Sequence, residues 1–593
     1  MKDVIVQTIY GQLCGKTEKR VNIFRGIPYA KPPVGERRFH PPQAPDCWEG
    51  VRDASSFGNR AIQPDMPISG LQEKSEDCLY LNVWTPKKGK SLPVMVWIHG
   101  GAFIMGSSSD PMYDGRVFAE KGNVIFVSMN YRLGIFGFMY LGELLGEKYA
   151  TSGNNGLLDQ IAALKWVKTN IEAFGGNPEN ITVFGESAGA VSVANLLIMP
   201  EAKGLFHKAI IESTCEPTMP LGKACGFARE IIKVLGISPN EATKLLEVPT
   251  DELFTASQKV ATMSFSPVLD GVSISDVPYK LAEAGVARDI PVIIGANKDE
   301  YATFAAMDPS VNMWSAEEIR NTLEGMFRPI WYEMGDYYKD FPMDIDLYIR
   351  VMSYASFIYP TLKYTVSLST KGKVWSYFFT WQHPNFKAGH GLEMPFVRLE
   401  AGKENTFQIK GRMEEKLSKR MFTAWVLFAK NGNPNGGSLP EWPLFDGNTR
   451  KTMIFDLESI IQSDPQKDRR LWDSMTSREC FKDVQLVMAN DMFSMPDNDE
   501  SQTDNTADLP QKEGYYSVHD KIGVLLKNKK TEAILYSMED SFKSPDGKGM
   551  KLNKLMMDMV SKMTLVKMAG LIGSKFPAGL LEKINNELMQ VRK

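Results

Sequence analysis

Short apolar runs alternate with longer amphipathic stretches through most of this chain. Val94–Ile98 is apolar at every position, as a strand buried on both faces requires. Val124–Asn130, Ile181–Phe184, Lys208–Ser213, Pro291–Gly295 and Val374–Thr380 read as further strands. In the segment Asp159–Phe174, Ile161, Leu164, Val167 and Ile171 fall at helical spacing. A second helix is expected from Ala190 onward, and a third over Lys416–Asn431. Strand and helix in alternation predict an α/β protein with a large, mostly parallel sheet flanked by helices. Before that core, Val4–Thr8, Gln12–Gly15 and Val21–Phe24 read as an antiparallel meander, followed by a strand at Leu79–Trp84. Arg25–Gly35, dense in Pro and Gly, reads as an irregular surface strap. Residues 222–262 and 316–370 read as helices, the latter rich in Tyr, Phe and Met. Part of that second stretch is expected to wall a cleft.

One junction carries chemistry. The run Ile181-Thr182-Val183-Phe184 leads into Gly185-Glu186-Ser187-Ala188-Gly189 and then into a helix start. This is G-x-S-x-G between strand and helix, the context in which such a serine is lifted above the sheet. The glycines leave room for a turn that tight. The buried strand ending at Ile98 runs into His99-Gly100-Gly101-Ala102-Phe103, whose Gly pair can aim backbone N–H groups at a developing negative charge. His99 itself reads as shaping that loop.

A serine nucleophile needs a base and a carboxylate to orient it. Of six histidines, only His207, His383, His390 and His519 follow Ser187. His207 lies too close behind the nucleophile helix, His383 abuts a proline, and His519 lies beyond an acidic stretch. His390, between two glycines in a loop after a strand, is the best base. In the expected order Ser, acid, His, the carboxylates Asp270, Asp299 and Glu300 qualify. Glu300, just after strand Pro291–Gly295, is placed best and Asp299 next.

Composition narrows the picture without redirecting it. The 593 residues exceed one ordinary core, and the net charge of −3 gives no reason to expect a nucleic acid partner. No apolar run is long enough to span a membrane. No h-region opens the chain, so a cytoplasmic location is expected. Six scattered cysteines form no CxxC pair and no zinc spacing, and no HExxH is present. No metal and no organic cofactor are expected.

These segments together resemble the type B carboxylesterase/cholinesterase family, and within it the bacterial para-nitrobenzyl esterase branch. The matching stretches are Arg25–Gly35, Ser75–Trp84, Trp97–Phe103, Asn130–Gly134, Gly153–Asp159, Phe174–Pro178, Gly185–Gly189, Lys298–Glu300, His390–Val397, Phe428–Asn435 and Trp442-Pro443. The resemblance implies an α/β-hydrolase fold and a serine carboxylesterase acting on small to medium esters through an acyl-enzyme. It implies Ser187 as nucleophile, His390 as base and Glu300 as orienting acid. The oxyanion donors it implies are the N–H groups of Gly101, Ala102 and Ala188. An amidase, carbamate hydrolase or thioesterase would use the same groups, and a non-catalytic, partner-binding relative would lack some of them.

The chain departs from the family's pattern at three places. Ala61 stands where extracellular members carry the cysteine partnering that of Ser75-Glu76-Asp77-Cys78, which fits a reducing compartment. Tyr301 replaces a Gly after the acid, and Arg398-Leu399 replaces Phe-Gly.

Residues 1–495 are thus expected to form the catalytic unit, 496–513 an acidic linker, and 514–593 a small helical domain. The last carries 14 Lys and Arg against 8 Asp and Glu, a charge of +6, leaving −9 on the remainder. Leu552, Leu555, Met556, Met559, Val560 and Met563 follow helical spacing, as do Leu581, Ile584 and Leu588. Either an ordinary core or a groove for a partner accounts for the methionines. The domain is expected to contact the catalytic unit or an unknown partner.

Overall fold

The structure, a computed structural model, describes residues 2–65, 72–260, 265–308, 311–402, 407–475, 509, 511–512, 514–537, 564–565 and 580–593. Its frame is a sheet of 13 described strands. In chain order these are β1 (Lys2–Thr8), β2 (Gly11–Glu18), β3 (Val21–Pro28), β4 (Val51–Asp53), β5 (Tyr80–Pro86), β6 (Leu92–Ile98) and β7 (Ile125–Met129). There follow β8 (Gly176–Glu186), β9 (Lys208–Glu212), β10 (Val292–Asn297), β11 (Val374–Phe379), β12 (Lys451–Phe455) and β13 (Ile460–Ser463). Across the sheet they run β1-β2-β3-β5-β7-β6-β8-β9-β10-β11-β12-β13, with β4 on β2. From β7 to β12 every pairing is parallel; the meander and β13 are antiparallel.

The apolar runs are explained by what lies on each face. Along β6, Val94, Val96 and Ile98 enter one hydrophobic cluster while Met95 and Trp97 enter another on the opposite side. On β8, Ile181 and Val183 join the first cluster and Phe184 the second. A strand with alternate side chains in two cores cannot show polar alternation. Burying each large side chain contributes roughly 1.5–3 kcal/mol. The second cluster is covered by the helix Arg412–Asn431, whose Phe422 ring lies 5.3 Å from that of Phe118.

The expected elements are present, with differences at their ends and at three places. Arg25–Gly35 is an irregular surface strap only in its second half, where Val34 and Gly35 are exposed. Its first residues continue β3 through a register shift between Phe24 and Ile27, and Ile27, Tyr29 and Ala30 are buried. The Tyr29 hydroxyl donates to the Asn130 carbonyl at 2.7 Å, so the proline-rich chain is pinned inward. The strands β4, β12 and β13 had no counterpart in the sequence reading. The region 222–262 holds helices at Leu221–Val234 and Thr250–Val260 around a 3-10 segment, Pro239–Leu246.

At the C-terminal end, Val518, Ile522, Leu525, Leu535, Leu565, Leu580, Leu581, Ile584 and Leu588 form a cluster of their own, with Met313 packed against it. Leu581, Ile584 and Leu588 lie on the helix Leu580–Leu588, as their spacing predicts. The stripe from Leu552 to Met563 lies outside the described residues, as does the linker except for Leu509, Gln511 and Lys512.

Candidate active site

Ser187 stands between β8 and the helix Ala188–Leu196 with φ 60° and ψ −125°, a conformation that non-glycine residues rarely adopt. The flanking glycines are sterically required. A Cβ on Gly189 would sit 2.1 Å from the carbonyl oxygen of Ile98, and one on Gly185 would sit 2.6 Å from the carbonyl carbon of Gly189. The Ser187 N–H donates to the Glu212 carbonyl on β9 at 3.0 Å, which ties the turn to the next strand.

The loop after β6 closes over this turn. A Cβ on Gly100 would lie 3.1 Å from Cβ of Ser187, so the two backbones meet without an intervening side chain. Gly101, Ala102 and Phe103 all have positive φ, 105°, 53° and 61°. Among the described residues the N–H groups of Gly101, Ala102 and Ala188 have no acceptor within the protein. His99 shapes this loop, as expected: its Nδ1 is 2.8 Å from the Gly100 carbonyl and its ring stacks on Tyr131. Burial lowers its pKa to about 4, against the Gly100 hydrogen bond, and keeps it neutral.

The segment 130–134 braces the loop from behind. Tyr131 donates its hydroxyl proton to the His99 carbonyl at 2.8 Å, and Gly134 N–H donates to the Phe103 carbonyl at 2.7 Å. Arg132 is held by Asp159 through Nη2–Oδ1 at 2.7 Å and Nε–Oδ2 at 2.8 Å, both side chains buried.

Glu300 follows β10 and His390 sits in the loop after β11, at the carboxyl ends of adjacent parallel strands. Glu300 is fully buried; Oε2 lies 2.6 Å from His390 Nδ1, and Oε1 accepts the Asn297 N–H at 2.7 Å. Asp299 faces elsewhere, accepting from Gln382 and the Ala388 N–H. Asp270 serves its own turn through Ser273, Val272, Ile274 and Asn154. His207, His383 and His519 are engaged by Glu179, Phe407 and Leu509 respectively. Of these alternatives, only Glu300 meets His390.

Two features escaped the sequence reading, and a third falls partly within the stretch 316–370 expected to wall a cleft. Glu186, the variable position of G-x-S-x-G, puts Oε1 3.0 Å from His390 Nε2, an ion-pair distance off the line of a hydrogen bond. Among the described residues no hydrogen bond joins Ser187 Oγ to the imidazole. Buried Glu212 and Glu393 lie close enough to feel these carboxylates, Glu212 that of Glu186 and Glu393 those of Glu186 and Glu300. Burial raises Glu212 to about 8, opposed by the Trp425 indole N–H at 2.7 Å. Burial and the neighbouring Glu186 and Glu300 hold Glu393 well above the usual carboxylate range. For His390, burial favours the neutral ring, but Glu186 and Glu300 outweigh it and hold its pKa well above the ordinary value. The third feature is an apolar flank: the rings of Phe357 and Phe304 pack 4.3 Å and 5.2 Å from the imidazole.

Among the described residues no group of three or more His, Cys, Asp and Glu side chains is arranged to hold a metal ion. Cys78 and Ala61 line the same small cavity, and the five described cysteines are free thiols. No described helix is long and apolar enough to cross a membrane.

A strained serine at a strand-to-helix elbow, above a mostly parallel sheet, defines an α/β-hydrolase. Residues 2–472 match the carboxylesterase family, and the chain belongs to it; it is a carboxylic ester hydrolase. It is 42% identical over 494 residues to the para-nitrobenzyl esterase of Bacillus subtilis, covering 79% of this chain and 98% of that one. It is 36% identical over 471 residues to a human cocaine esterase, covering 72% and 82% of the two chains. A crystal structure of a Geobacillus stearothermophilus carboxylesterase superposes with a TM-score of 0.73 at 40% identity, over 79% of this chain and 99% of that one.

Proposed function

We propose that Ser187 is the nucleophile of this esterase, His390 its general base and Glu300 the acid that orients the base. The observation that carries this reading is the contact of buried Glu300 with Nδ1 of His390, at the strand ends that also present Ser187. With Nδ1–H committed to Glu300, Nε2 is the nitrogen left to take the serine proton. Ser187 Oγ attacks the ester carbonyl carbon, and its proton passes to Nε2. The oxygen that becomes negative accepts from the N–H groups of Gly101, Ala102 and Ala188. Each such donor contributes about 3 kcal/mol to the barrier reduction. The leaving alcohol takes the proton from Nε2. Water, activated by the same nitrogen, then attacks the acyl-enzyme and releases the acid and Ser187.

The flank of Phe304 and Phe357 supports an ester with an apolar group of small to medium size on that side. The relative named for para-nitrobenzyl esters favours the same class. The free thiol of Cys78 beside Ala61 supports a reducing, cytoplasmic setting. Residues 514–593 are read as a separate helical unit docked near Met313, because their buried leucines form a cluster of their own.

The test is Ser187→Ala with a short-chain nitrophenyl ester and a fluorophosphonate probe. Turnover and labelling should both vanish while the melting temperature holds. Retained turnover would remove Ser187 from the role.

A further inference from the structure

The family match ends at residue 472, and residues 514–593 lie beyond it. The described part of that stretch is closed on itself. The Lys593 N–H donates to the Gly514 carbonyl at 2.8 Å, the Tyr516 N–H to the Val591 carbonyl at 3.0 Å, and the Val518 N–H to Oδ1 of Asn585 at 3.0 Å. Its buried leucines share one cluster, and Met313, from the family-matched part of the chain, packs against that cluster.

Met313 is linked to the site by a short packed run. It ends the 3-10 turn Val311–Met313, which is tied back to the helix Ala302–Met307 by Asn312, whose Nδ2 donates to the Ala305 carbonyl at 3.0 Å. Trp314, the next residue, has its ring 5.2 Å from that of Tyr348. Tyr348 lies 5.5 Å from Tyr301, edge to face, and Tyr301 lies 5.4 Å from Phe304. Phe304 packs 5.2 Å from the His390 imidazole, and Thr303 beside it donates its hydroxyl proton to the His390 carbonyl at 3.0 Å. A helix of six residues is too short to hold its shape alone, so it takes its position from what grips its ends. At its start the Tyr301 N–H donates to Ser353 Oγ at 2.9 Å; at its far end the grip is the turn that carries Met313.

We propose that residues 514–593 brace the wall of the ester site. Docked on Met313, they fix the helix Ala302–Met307 and hold Phe304 beside His390, so the appended unit limits the size of ester that the site admits. Met313 is the positioning residue of this brace. The inference rests on the reading of 514–593 as a separate docked unit and of His390 as the base. The charges favour docking within the chain, +6 on the unit against −9 on the remainder. With Met313 uncovered the turn gains freedom, the helix follows it, and Phe304 yields to a larger acyl or alcohol group. Coupling is reciprocal, so a bulky group that displaces Phe304 loosens the docked unit in turn.

The experiment compares full-length wild type, Met313→Glu and Met313→Leu on nitrophenyl esters from acetate to decanoate and on acetates of increasing alcohol size. The ratio of kcat/KM for the largest ester to that for the smallest should rise about threefold or more in Met313→Glu in at least one series. Met313→Leu keeps an apolar contact and should hold the wild-type ratio. Ratios unchanged in both series, or moved equally by Met313→Leu, overturn the proposal. Hydrogen exchange on the wild-type chain decides the matter independently of how the variants fold. A fluorophosphonate carrying a bulky group should quicken exchange in residues 302–313 and in the helix Leu580–Leu588, relative to one carrying a methyl group. Equal exchange with the two labels overturns the proposal. A chain that takes neither label would refute the nucleophile assigned above, and the ratio comparison then decides the brace.

Discussion

Glu300 and His390 are joined twice. The carboxylate meets Nδ1 at 2.6 Å, and the His390 N–H donates to the Glu300 carbonyl at 3.0 Å. The side-chain contact sets the tautomer and the backbone contact sets the height of the ring above the strand ends. Glu300→Gln keeps the second and spoils the first. It should lower kcat by roughly 10³–10⁴ with KM little changed, the scale seen when a triad carboxylate becomes an amide elsewhere. Steady-state kinetics on a single ester checks this, and a loss confined to KM would contradict it.

The Arg132–Asp159 pair lies wholly within the protein and braces the segment behind the Gly101–Phe103 loop. Removing one partner strands a buried charge, at a cost of about 3–5 kcal/mol. Asp159→Ala should therefore lower the unfolding free energy obtained from denaturant titration by that amount. A change under 1 kcal/mol would mean that the pair is far less important than its burial implies.

Glu212 offers a pH-dependent test of stability. Its pKa in the folded state is raised to about 8 by burial, so the native chain holds this proton longer than the unfolded chain does. Native stability is penalised as pH rises from the usual glutamate range toward 8, and the penalty is complete above that value. Glu212→Gln imitates the protonated form in both states and escapes it. Calorimetric melting temperatures should agree near pH 4 and diverge in favour of the variant up to pH 8. A gap independent of pH would refute the assignment.

Gly189→Ala places a methyl group 2.1 Å from a backbone oxygen of β6, where no side chain can yield. A loss of about 3 kcal/mol or more is expected, together with loss of fluorophosphonate labelling. Normal melting with full labelling would show that the elbow can shift.

The parts of this molecule legible in the sequence were those with local signatures. Val94–Ile98 announces a doubly buried strand, and Gly185–Gly189 a turn that only glycines permit. His390 and Glu300 were reachable because few histidines follow Ser187 and strand order limits the acids. Glu186 was not legible, since its meaning comes from where a loop 204 residues further on happens to pass. The strand β12 was missed although four of its five residues are buried, because Lys451-Thr452 gives it a polar start and turn residues surround it. Ile27 and Tyr29 were misread because local Pro and Gly say nothing of the distant Asn130 that draws the chain inward.

The end of β10 lies beside the end of β11, Asn297 opposite Phe379, while the chain between them leaves at that end and crosses back to re-enter the sheet at Val374, opposite Val292. Phe304 and Phe357, which flank the imidazole on its apolar side, belong to that excursion. The groups proposed to react, Ser187, Glu300 and His390, stay near the strand ends while the excursion supplies the rings beside the imidazole. Grafting residues 302–370 from a relative should thus transfer ester preference as a cassette, with the hydrolytic engine left running beneath it.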